Sequence, residues 1–527
     1  MKATGAQAPA QGGGAVLARV ASEALTGLRG HAVWVEADVV AAAPAFSVVG
    51  LPDAAVQESR ERVRAAIVNS SFAFPSRRIT VNLAPADLRK EGPSFDLPIA
   101  LAFLLATGQA RDGSDGRGPL AAVGELGLDG GLRPVAGALA VAQSLRARGV
   151  RGLVLPAANA GEATLVPGLE VYPARTLVEA VAQMEAGGRG AAPPADLEAL
   201  LTASPRSEAD LADVAGQGSV KRALEIAVAG AHNVLMQGPP GAGKTMLARR
   251  LPGIMPPLTP AEAVEVTRIH SVAGLLPAGV PLVVRRPFRA PHHSISSPGL
   301  IGGGGTPRPG EVSLAHLGVL FLDEFPEFRL SALEGLRQPL EDGEVTISRR
   351  LQSVTYPARL MLVAAMNPCP CGFRGDPQRE CDCLPQRLRT YRSRLSGPLL
   401  DRIDLRLEVP RVAPRDRRAA GRGESSAVVR ERVLAARRRQ QARFAGTGIH
   451  ANAHMTAGDL RRFCGLDQQA TAKLDRAYDT LRLSARAADR VVKVARTIAD
   501  LEGAEHVTLA HVAESLSYRD VAEEPRG

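Results

Sequence analysis

The feature that most constrains this chain is a glycine-rich segment between a short apolar run and a helix-forming run. The segment consists of Gly238, Pro239, Pro240, Gly241, Ala242, Gly243, Lys244 and Thr245. This order matches the phosphate-binding pattern G-x-x-x-x-G-K-[ST]. Residues 234–236 before it predict a buried strand, and residues 246–250 after it predict the start of a helix. A Gly-Pro turn before an ordinary helix is the alternative interpretation.

The chemistry of such a loop follows from its residue types. Glycines allow backbone N–H groups to close around phosphate oxygens, and the N-terminus of the following helix adds partial positive charge. Lys244 would supply a full charge to the β- and γ-phosphates, and Thr245 would offer its hydroxyl to Mg²⁺. The segment therefore predicts ATP and Mg²⁺ as cofactors.

The charge balance favours an anionic partner. The 527-residue chain has a formal net charge of +10, which suits nucleic acid, although genomic base composition is a second source of the arginine excess. The longest apolar run, residues 99–106, is far shorter than the roughly 20 residues of a membrane helix. With no secretory signal pattern at the N-terminus, we expect a soluble, cytoplasmic protein without a membrane partner.

The N-terminal third alternates predicted strands and helices. The order Lys90-Glu91-Gly92-Pro93-Ser94 before an apolar helix resembles the serine segment of Lon-type proteases, which use a Ser-Lys dyad. The segment matching the family's lysine position, residues 133–139, contains no lysine, and none occurs between Lys90 and Lys221. Arginine stays protonated and cannot serve as the base. We therefore predict a Lon-like fold that is inactive as a protease, with Ser94 as a helix N-cap.

A second apolar run ends in two carboxylates. The run 319–322 predicts a strand, after which Asp323 would hold Mg²⁺ and Glu324 would polarise the attacking water. The next predicted strand, residues 361–366, is followed by Asn367. That pattern resembles the sensor-1 strand of AAA+ proteins, in which the amide lies beside the γ-phosphate.

Three arginines are candidates for the far side of a nucleotide site. The block SGPLLDRID places Arg402 where the magnesium-chelatase and MCM branch of AAA+ proteins carries an arginine finger; an ion pair with Asp401 or Asp404 is the alternative. The finger acts on a neighbouring subunit, which implies a ring, most often a homo-hexamer. In this branch a later helix begins with the sensor-2 arginine, and Arg486 is our choice, with Arg490 second.

Two further groups of residues have less specific patterns. Arg349 and Arg350 lie at the tip of a predicted hairpin and would contact DNA phosphates, or would be a solvated turn. Four cysteines flank a short polar loop. They are Cys369, Cys371, Cys381 and Cys383. Such a set can close a structural Zn²⁺ site, and free or redox-active thiols are the alternative.

Nearly the whole chain resembles the ComM/YifB family of magnesium-chelatase-like AAA+ ATPases, through the blocks FRAPHH, GVLFLDE, AAMNPCPCG and SGPLLDRID. The resemblance implies an α/β fold with a Lon-like N-terminal domain, an AAA+ P-loop core with a parallel sheet and a C-terminal α-helical lid. The predicted bounds are 1–186 for the first domain, 187–205 for a linker, 206–412 for the core and 413–527 for the lid. It also implies a ring-shaped, ATP-driven helicase that acts on single-stranded or branched DNA and promotes branch migration in natural transformation. A metal-chelatase subunit and an ATP-dependent protease are the alternatives.

Overall fold

A computed structural model describes the protein over nine ranges. These are 17–113, 118–188, 190–203, 209–277, 279–304, 307–349, 352–376, 379–412 and 423–519. The chain divides into two compact units. The first comprises Met1–Ala199 with His270–Val283, and the second comprises Leu200–Ile269 with Val284–Gly527. Within the described ranges, no helix combines the length and apolarity needed to cross a bilayer.

The first unit is built on a mixed seven-stranded sheet. In spatial order its strands are Ala45–Val49, Arg78–Ala84, Arg29–Val40, Ala18–Thr26, Leu120–Ala122, Gly152–Pro156 and Glu170–Ala174. Its longer helices are Ala54–Asn69, Asp96–Ala106, Ala138–Ala147 and Leu177–Glu185. The strand Arg78–Ala84 buries every second residue, as expected for a sheet with one face on a core. The apolar helix Asp96–Ala106 is almost wholly buried in that core.

One local prediction for this unit is wrong. Ser94 is not the N-cap of the apolar helix, because a 3₁₀ turn, Pro93–Phe95, precedes that helix and Phe95 takes the cap position without a side-chain hydrogen bond. Asp53 is the side-chain cap in this region. Its carboxylate accepts from the Val56 N–H at 2.8 Å and from the Gly92 N–H at 3.1 Å, which fixes the start of Ala54–Asn69 and the segment around Gly92 together.

The second unit contains a five-stranded parallel sheet. In spatial order its strands are Phe288–Arg289, Val319–Leu322, Met361–Met366, Val234–Gln237 and Leu405–Glu408. Val319–Leu322 and Met361–Met366 are buried throughout and Val234–Gln237 in all but its last residue, which is typical of a parallel sheet covered on both faces, whereas Leu405–Glu408 at the edge ends in an exposed residue. Two antiparallel hairpins accompany it, Gly302–Gly303 with Arg308–Pro309 and Glu344–Arg349 with Gln352–Pro357.

Helices surround this sheet and form the C-terminal region. The helices between the strands are Gly218–Gly230, Lys244–Ala248, Leu251–Ile254, Pro260–Val272, Ser297–Ile301, Glu311–Leu314, Leu330–Gly335, Arg337–Asp342, Pro385–Ser393 and Gly397–Leu400. The C-terminal helices are Ser426–Arg443, Ala457–Phe463, Gln468–Thr480, Ala485–Glu502 and Leu509–Ser517. Side chains of Ser426–Arg443 and Ala485–Glu502 share one apolar core with the sheet. The predicted combination of a parallel sheet with a helical C-terminal region is therefore confirmed.

Candidate nucleotide site

The glycine-rich loop lies at the carboxyl end of the strand Val234–Gln237, next to the central strand Met361–Met366. The Gly238 N–H donates to the Met366 carbonyl at 3.2 Å, which joins the loop to the neighbouring strand. Val409 directly follows the strand Leu405–Glu408 on the other side of the loop. A Cβ at Gly238 would lie 2.2 Å from the Val409 carbonyl oxygen, so only glycine fits at this position. The start of the loop is therefore set by close backbone packing.

Lys244 is buried at the end of this loop, with 8% of the residue exposed. Its Nζ donates to the Gly238 carbonyl at 2.5 Å, to the Pro239 carbonyl at 3.1 Å and to Asn367 Oδ1 at 3.1 Å. Burial lowers the pKa of the Lys244 ammonium, and the Asp323 carboxylate opposes that shift. All three acceptors are neutral oxygens, so a phosphate oxygen would be a stronger partner for the same charge.

A hydroxyl and a carboxylate meet beside the loop. Thr245 Oγ1 donates to Asp323 Oδ2 at 2.6 Å, and the other oxygen, Asp323 Oδ1, accepts from the Glu324 N–H at 2.9 Å. Thr245 lies in the first turn of the helix Lys244–Ala248, whereas Asp323 directly follows the strand Val319–Leu322. A hydroxyl and a carboxylate in contact are the oxygen ligands that Mg²⁺ takes when it also binds phosphates.

Glu324 points its carboxylate outward from the same strand end. Its backbone has φ of 53°, a left-handed conformation uncommon for a residue with a side chain, and 56% of the side chain is exposed. Glu324 Oε2 lies 2.9 Å from His293 Nδ1. A protonated Nδ1 donates to the carboxylate at that distance and fixes its direction.

The sequence motifs did not predict this role for His293. His293 and Glu324 are far apart in the chain. The ring of His292 packs against that of His293, with centroids 4.1 Å apart. The signal that could have found the pair is the strand order. Phe288–Arg289 pairs in parallel with Val319–Leu322, so the segments after both strands emerge at the same edge of the sheet.

Asn367 completes the group of polar side chains. It follows the strand Met361–Met366, which lies between the strands that precede Lys244 and Asp323. Its Oδ1 accepts from Lys244, and its carbonyl accepts from the Tyr391 hydroxyl at 3.3 Å. Two hydrogen-bonded pairs, Lys244 with Asn367 and Thr245 with Asp323, thus lie side by side because Lys244 and Thr245 are consecutive. Glu324 directly follows Asp323 in the chain.

The three candidate arginines lie elsewhere in this unit, along one cavity of about 580 Å³. Arg402 is buried and donates to the Glu341 carboxylate, so its partner is neither of the two aspartates considered from the sequence. Arg490 donates to Asp404 Oδ1 at 2.9 Å, whereas Arg486 is exposed. Among the described residues that line this cavity, none belongs to the 238–245 loop.

The hairpin proposed to contact DNA is present, but its tip is not described. Glu344–Arg349 pairs antiparallel with Gln352–Pro357. Arg350 and the side chain of Arg349 lie outside the described residues. Their contact with phosphate therefore stays a prediction.

The four cysteines converge to one point. The sulfur atoms of Cys369, Cys371, Cys381 and Cys383 all lie within 4.8 Å of one another. Cys369 is buried and the other three are half-buried, and all are free thiols. The set offers four soft ligands, which is the donor chemistry of structural zinc.

Comparison with known proteins shows where this chain belongs. Three family models match it: "Subunit ChlI of Mg-chelatase" over residues 35–159, "Magnesium chelatase, subunit ChlI" over 210–417 and "Magnesium chelatase, subunit ChlI C-terminal" over 423–519. The competence protein ComM of Haemophilus influenzae is 45% identical over 95% of this chain and 97% of its own length. The chain belongs to the ComM/YifB family of magnesium-chelatase-like proteins.

Other ComM/YifB relatives match over the same extent. YifB of Escherichia coli is 43% identical over 96% of this chain and 97% of its own length. An uncharacterised protein of Mycobacterium tuberculosis is 46% identical over 95% of this chain and 98% of its own length. Membership of this AAA+-type family implies use of ATP and Mg²⁺, in agreement with the geometry around Lys244 and Asp323.

Proposed function

We propose that this protein is a ring-forming, cytoplasmic ATPase that moves along DNA and promotes branch migration while incoming DNA recombines during natural transformation. The observation that carries the ATPase part is the pair of adjacent hydrogen bonds, Lys244 to Asn367 and Thr245 to Asp323, at the carboxyl edge of a parallel sheet. The DNA part is supported by the similarity to a competence protein and by the net charge of +10.

In this proposal the residues divide the work of phosphoryl transfer. Lys244 exchanges its carbonyl partners for phosphate oxygens, and loop N–H groups bind the remaining oxygens. Thr245 and Asp323 would hold Mg²⁺, whose charge offsets that of the phosphates. Glu324 polarises the attacking water as its oxygen approaches the γ-phosphorus. Asn367, held by Lys244 and Tyr391, orients that water.

The arginines act between subunits of a homo-hexameric ring. One cavity is lined by Arg402 and by the two sensor-2 candidates, Arg486 and Arg490. No residue of the phosphate loop of the same chain is among the described residues that line it. A neighbouring copy's nucleotide is therefore the partner that we propose for them. Arg402 would leave Glu341 and stabilise the charge of the transition state, which is worth about 10³-fold or more in rate for arginine fingers.

DNA would pass through the ring. Arg349 and Arg350 on the hairpin would contact backbone phosphates, which gives sequence-independent and salt-sensitive binding. Alanine at both positions should weaken binding to single-stranded and branched DNA alike and lower the slope of log affinity against log salt by about 2.

The test is ATP-dependent strand displacement from a three-way DNA junction. Wild type should displace the strand, and ATP hydrolysis should rise when junction DNA is added. The oligomeric state is measured in the same samples by light scattering. A protein that stays monomeric with ATP and DNA present, or whose ATPase responds to a porphyrin partner but not to DNA, would contradict the proposal and favour the chelatase alternative.

We also propose that the four cysteines hold one structural Zn²⁺ per chain. The support is that the four sulfurs are close together without being bonded to one another.

A further inference from the structure

Three of the four sulfurs already form a compact triangle, and the fourth, Cys383 Sγ, lies within 4.8 Å of each of them. The distances are 3.3 Å from Cys369 to Cys371, 3.6 Å from Cys371 to Cys381 and 3.6 Å from Cys381 to Cys369. Four sulfurs at the usual zinc–sulfur bond length of about 2.3 Å lie about 3.8 Å apart. To reach that spacing, the sulfurs of Cys369, Cys371 and Cys381 need to separate by only about half an ångström or less. Disulfide bonding would need one pair to close to about 2.05 Å.

Two backbone N–H groups donate hydrogen bonds to these sulfurs. The Arg374 N–H donates to Cys369 Sγ at 3.3 Å, and the Cys371 N–H donates to Cys383 Sγ at 3.4 Å. Hydrogen bonds of this kind stabilise sulfur as thiolate, the form that ligates metal. The bond from Arg374 lies within the turn that carries Cys369 and Cys371. The bond from Cys371 joins that turn to the second cysteine pair, Cys381 and Cys383.

The segment that carries these cysteines, residues 368–384, touches the nucleotide site; we call it the cysteine loop. A Cβ added at Gly372 would lie 2.6 Å from Pro240 Cδ, so the loop backbone packs directly on the phosphate-binding loop. Arg411 donates to the Pro240 carbonyl at 3.0 Å and lies 3.6 Å from the Asp376 carboxylate. Asn367 immediately precedes the loop.

We propose that zinc in the cysteine loop fixes the positions of Asn367 and Pro240, so that metal occupancy sets the rate of ATP hydrolysis. The described part of the loop carries no helix or strand, so its order depends on a few contacts and on cross-linking by the metal. Metal binding to such a segment contributes directly to its folding free energy. The effect on the rate of hydrolysis rests on the proposed ATPase function, whereas the metal site and its effect on the positions of Asn367 and Pro240 do not.

The metal is tested first on the full chain. Purified protein should contain one zinc per chain, released by a mercurial thiol reagent, and cobalt exchanged into it should show the absorption of a tetrahedral thiolate site. The double variant Cys381→Ser with Cys383→Ser should lose the zinc. Its control is Cys464→Ser, since Cys464 is a buried thiol that lies 3.9 Å from the Met455 sulfur. Zinc-free wild type, or a double variant that retains zinc, would overturn the assignment.

The coupling to the nucleotide site is tested with two glycine variants that keep all four cysteines. Gly372 and Gly375 have similar left-handed φ values, 87° and 77°, but a Cβ at Gly375 meets no atom within 4 Å. Gly372→Ala should retain zinc, lower kcat by about 10-fold, as changes around a metal's ligands commonly do, and speed amide exchange around Asn367 and Pro240. Gly375→Ala should change kcat and exchange much less. Equal behaviour of the two variants would overturn the coupling.

Removal of the metal from native protein gives a second measure that does not depend on any variant's folding. Zinc release by the mercurial should speed amide exchange in residues 361–376 and in the phosphate loop, and thiol with zinc should reverse it. Unchanged exchange would overturn the coupling even if ATPase is lost. If holo protein hydrolysed no ATP with any DNA, the proposed function would fail, while exchange would still decide whether the metal holds these segments.

Discussion

Lys90 in the first unit and Lys244 in the second are both buried lysines in loops that precede a helix. Lys90 is 0% exposed and donates to the Pro85 carbonyl, and burial lowers the pKa of its ammonium as it does for Lys244. Their surroundings differ. Lys244 bonds to Asn367, a neighbour of Thr245 and Asp323, whereas the Lys90 main chain bonds to Leu51 and Asp53 in a structural contact.

The difference shows that a buried, perturbed lysine is not by itself evidence of a catalytic site. Both resemblances, to Lon-type proteases and to AAA+ ATPases, start from a short motif with a lysine. At Lys244, unlike at Lys90, the fold brings an amide to the lysine itself and a carboxylate to the hydroxyl of the next residue, Thr245. Lys90 reaches a main-chain carbonyl that its own loop supplies. Substitutions at the two lysines should therefore affect different properties.

The largest expected effect is on ATP hydrolysis in Lys244→Ala. Loss of the charge that faces the β- and γ-phosphates should lower kcat/KM by at least about 10²-fold, with the fold retained. Steady-state phosphate release measures the loss, and circular dichroism checks the fold. Lys473→Ala, in the helix Gln468–Thr480, is the matched control and should keep normal turnover. Normal hydrolysis by Lys244→Ala would remove the contrast between the two lysines.

Glu324→Gln should lower kcat by about 10²-fold while ATP still binds, because the amide keeps the shape of the side chain and loses the carboxylate that polarises water. Single-turnover hydrolysis and a fluorescent-nucleotide binding titration separate the two effects. The control is Glu327→Gln, since Glu327 lies on the turn that follows Glu324 and pairs with Arg394. Hydrolysis at the wild-type rate in Glu324→Gln would show that another group activates the water.

The sequence predicted the convergence of Lys244, Asp323 and Asn367 better than the contacts around them, for a physical reason. The phosphate loop, the strand before Asp323 and the strand before Asn367 are local patterns, and a parallel sheet brings their carboxyl ends to one edge. The contact of His293 with Glu324 and that of Arg402 with Glu341 join distant segments, so they depend on packing that local patterns do not encode.

Ser94 shows that a local sequence pattern can also predict a structural role that the tertiary fold overrides. The cap rule favours serine before an apolar helix, but the 3₁₀ turn Pro93–Phe95 shifts the helix start past it. Residue preference at a cap is a weak local term, and the backbone bond from the Gly124 N–H to the Ser94 carbonyl, at 2.9 Å, belongs to the tertiary fold. The fold class and the family could be predicted because they depend on many such terms at once.

At Lys90 the expected effect is on stability. Lys90→Ala should lower the free energy of unfolding of the first unit by about 2–4 kcal/mol, since it leaves a cavity where four methylenes were packed. Lys90→Met fills that space and should stay within about 1.5 kcal/mol of wild type. Trp34, the single tryptophan of the chain, lies in the strand Arg29–Val40 of this unit, so its fluorescence reports the unfolding. Reduced ATPase in Lys90→Met would contradict a purely structural role.

The smallest expected effect is that of Ser94→Ala, whose counterpart is Thr245→Ala. Ser94 is half-buried, and the bond that its carbonyl accepts from Gly124 survives the substitution, so stability should change by less than about 0.5 kcal/mol and ATPase should be unchanged. Thr245→Ala removes the hydroxyl that bonds to Asp323 at 2.6 Å and should lower ATPase strongly. If wild type degraded casein and Ser94→Ala did not, the first unit would be a protease. Because residues 133–139 contain no lysine, some other group would then have to act as the base for Ser94.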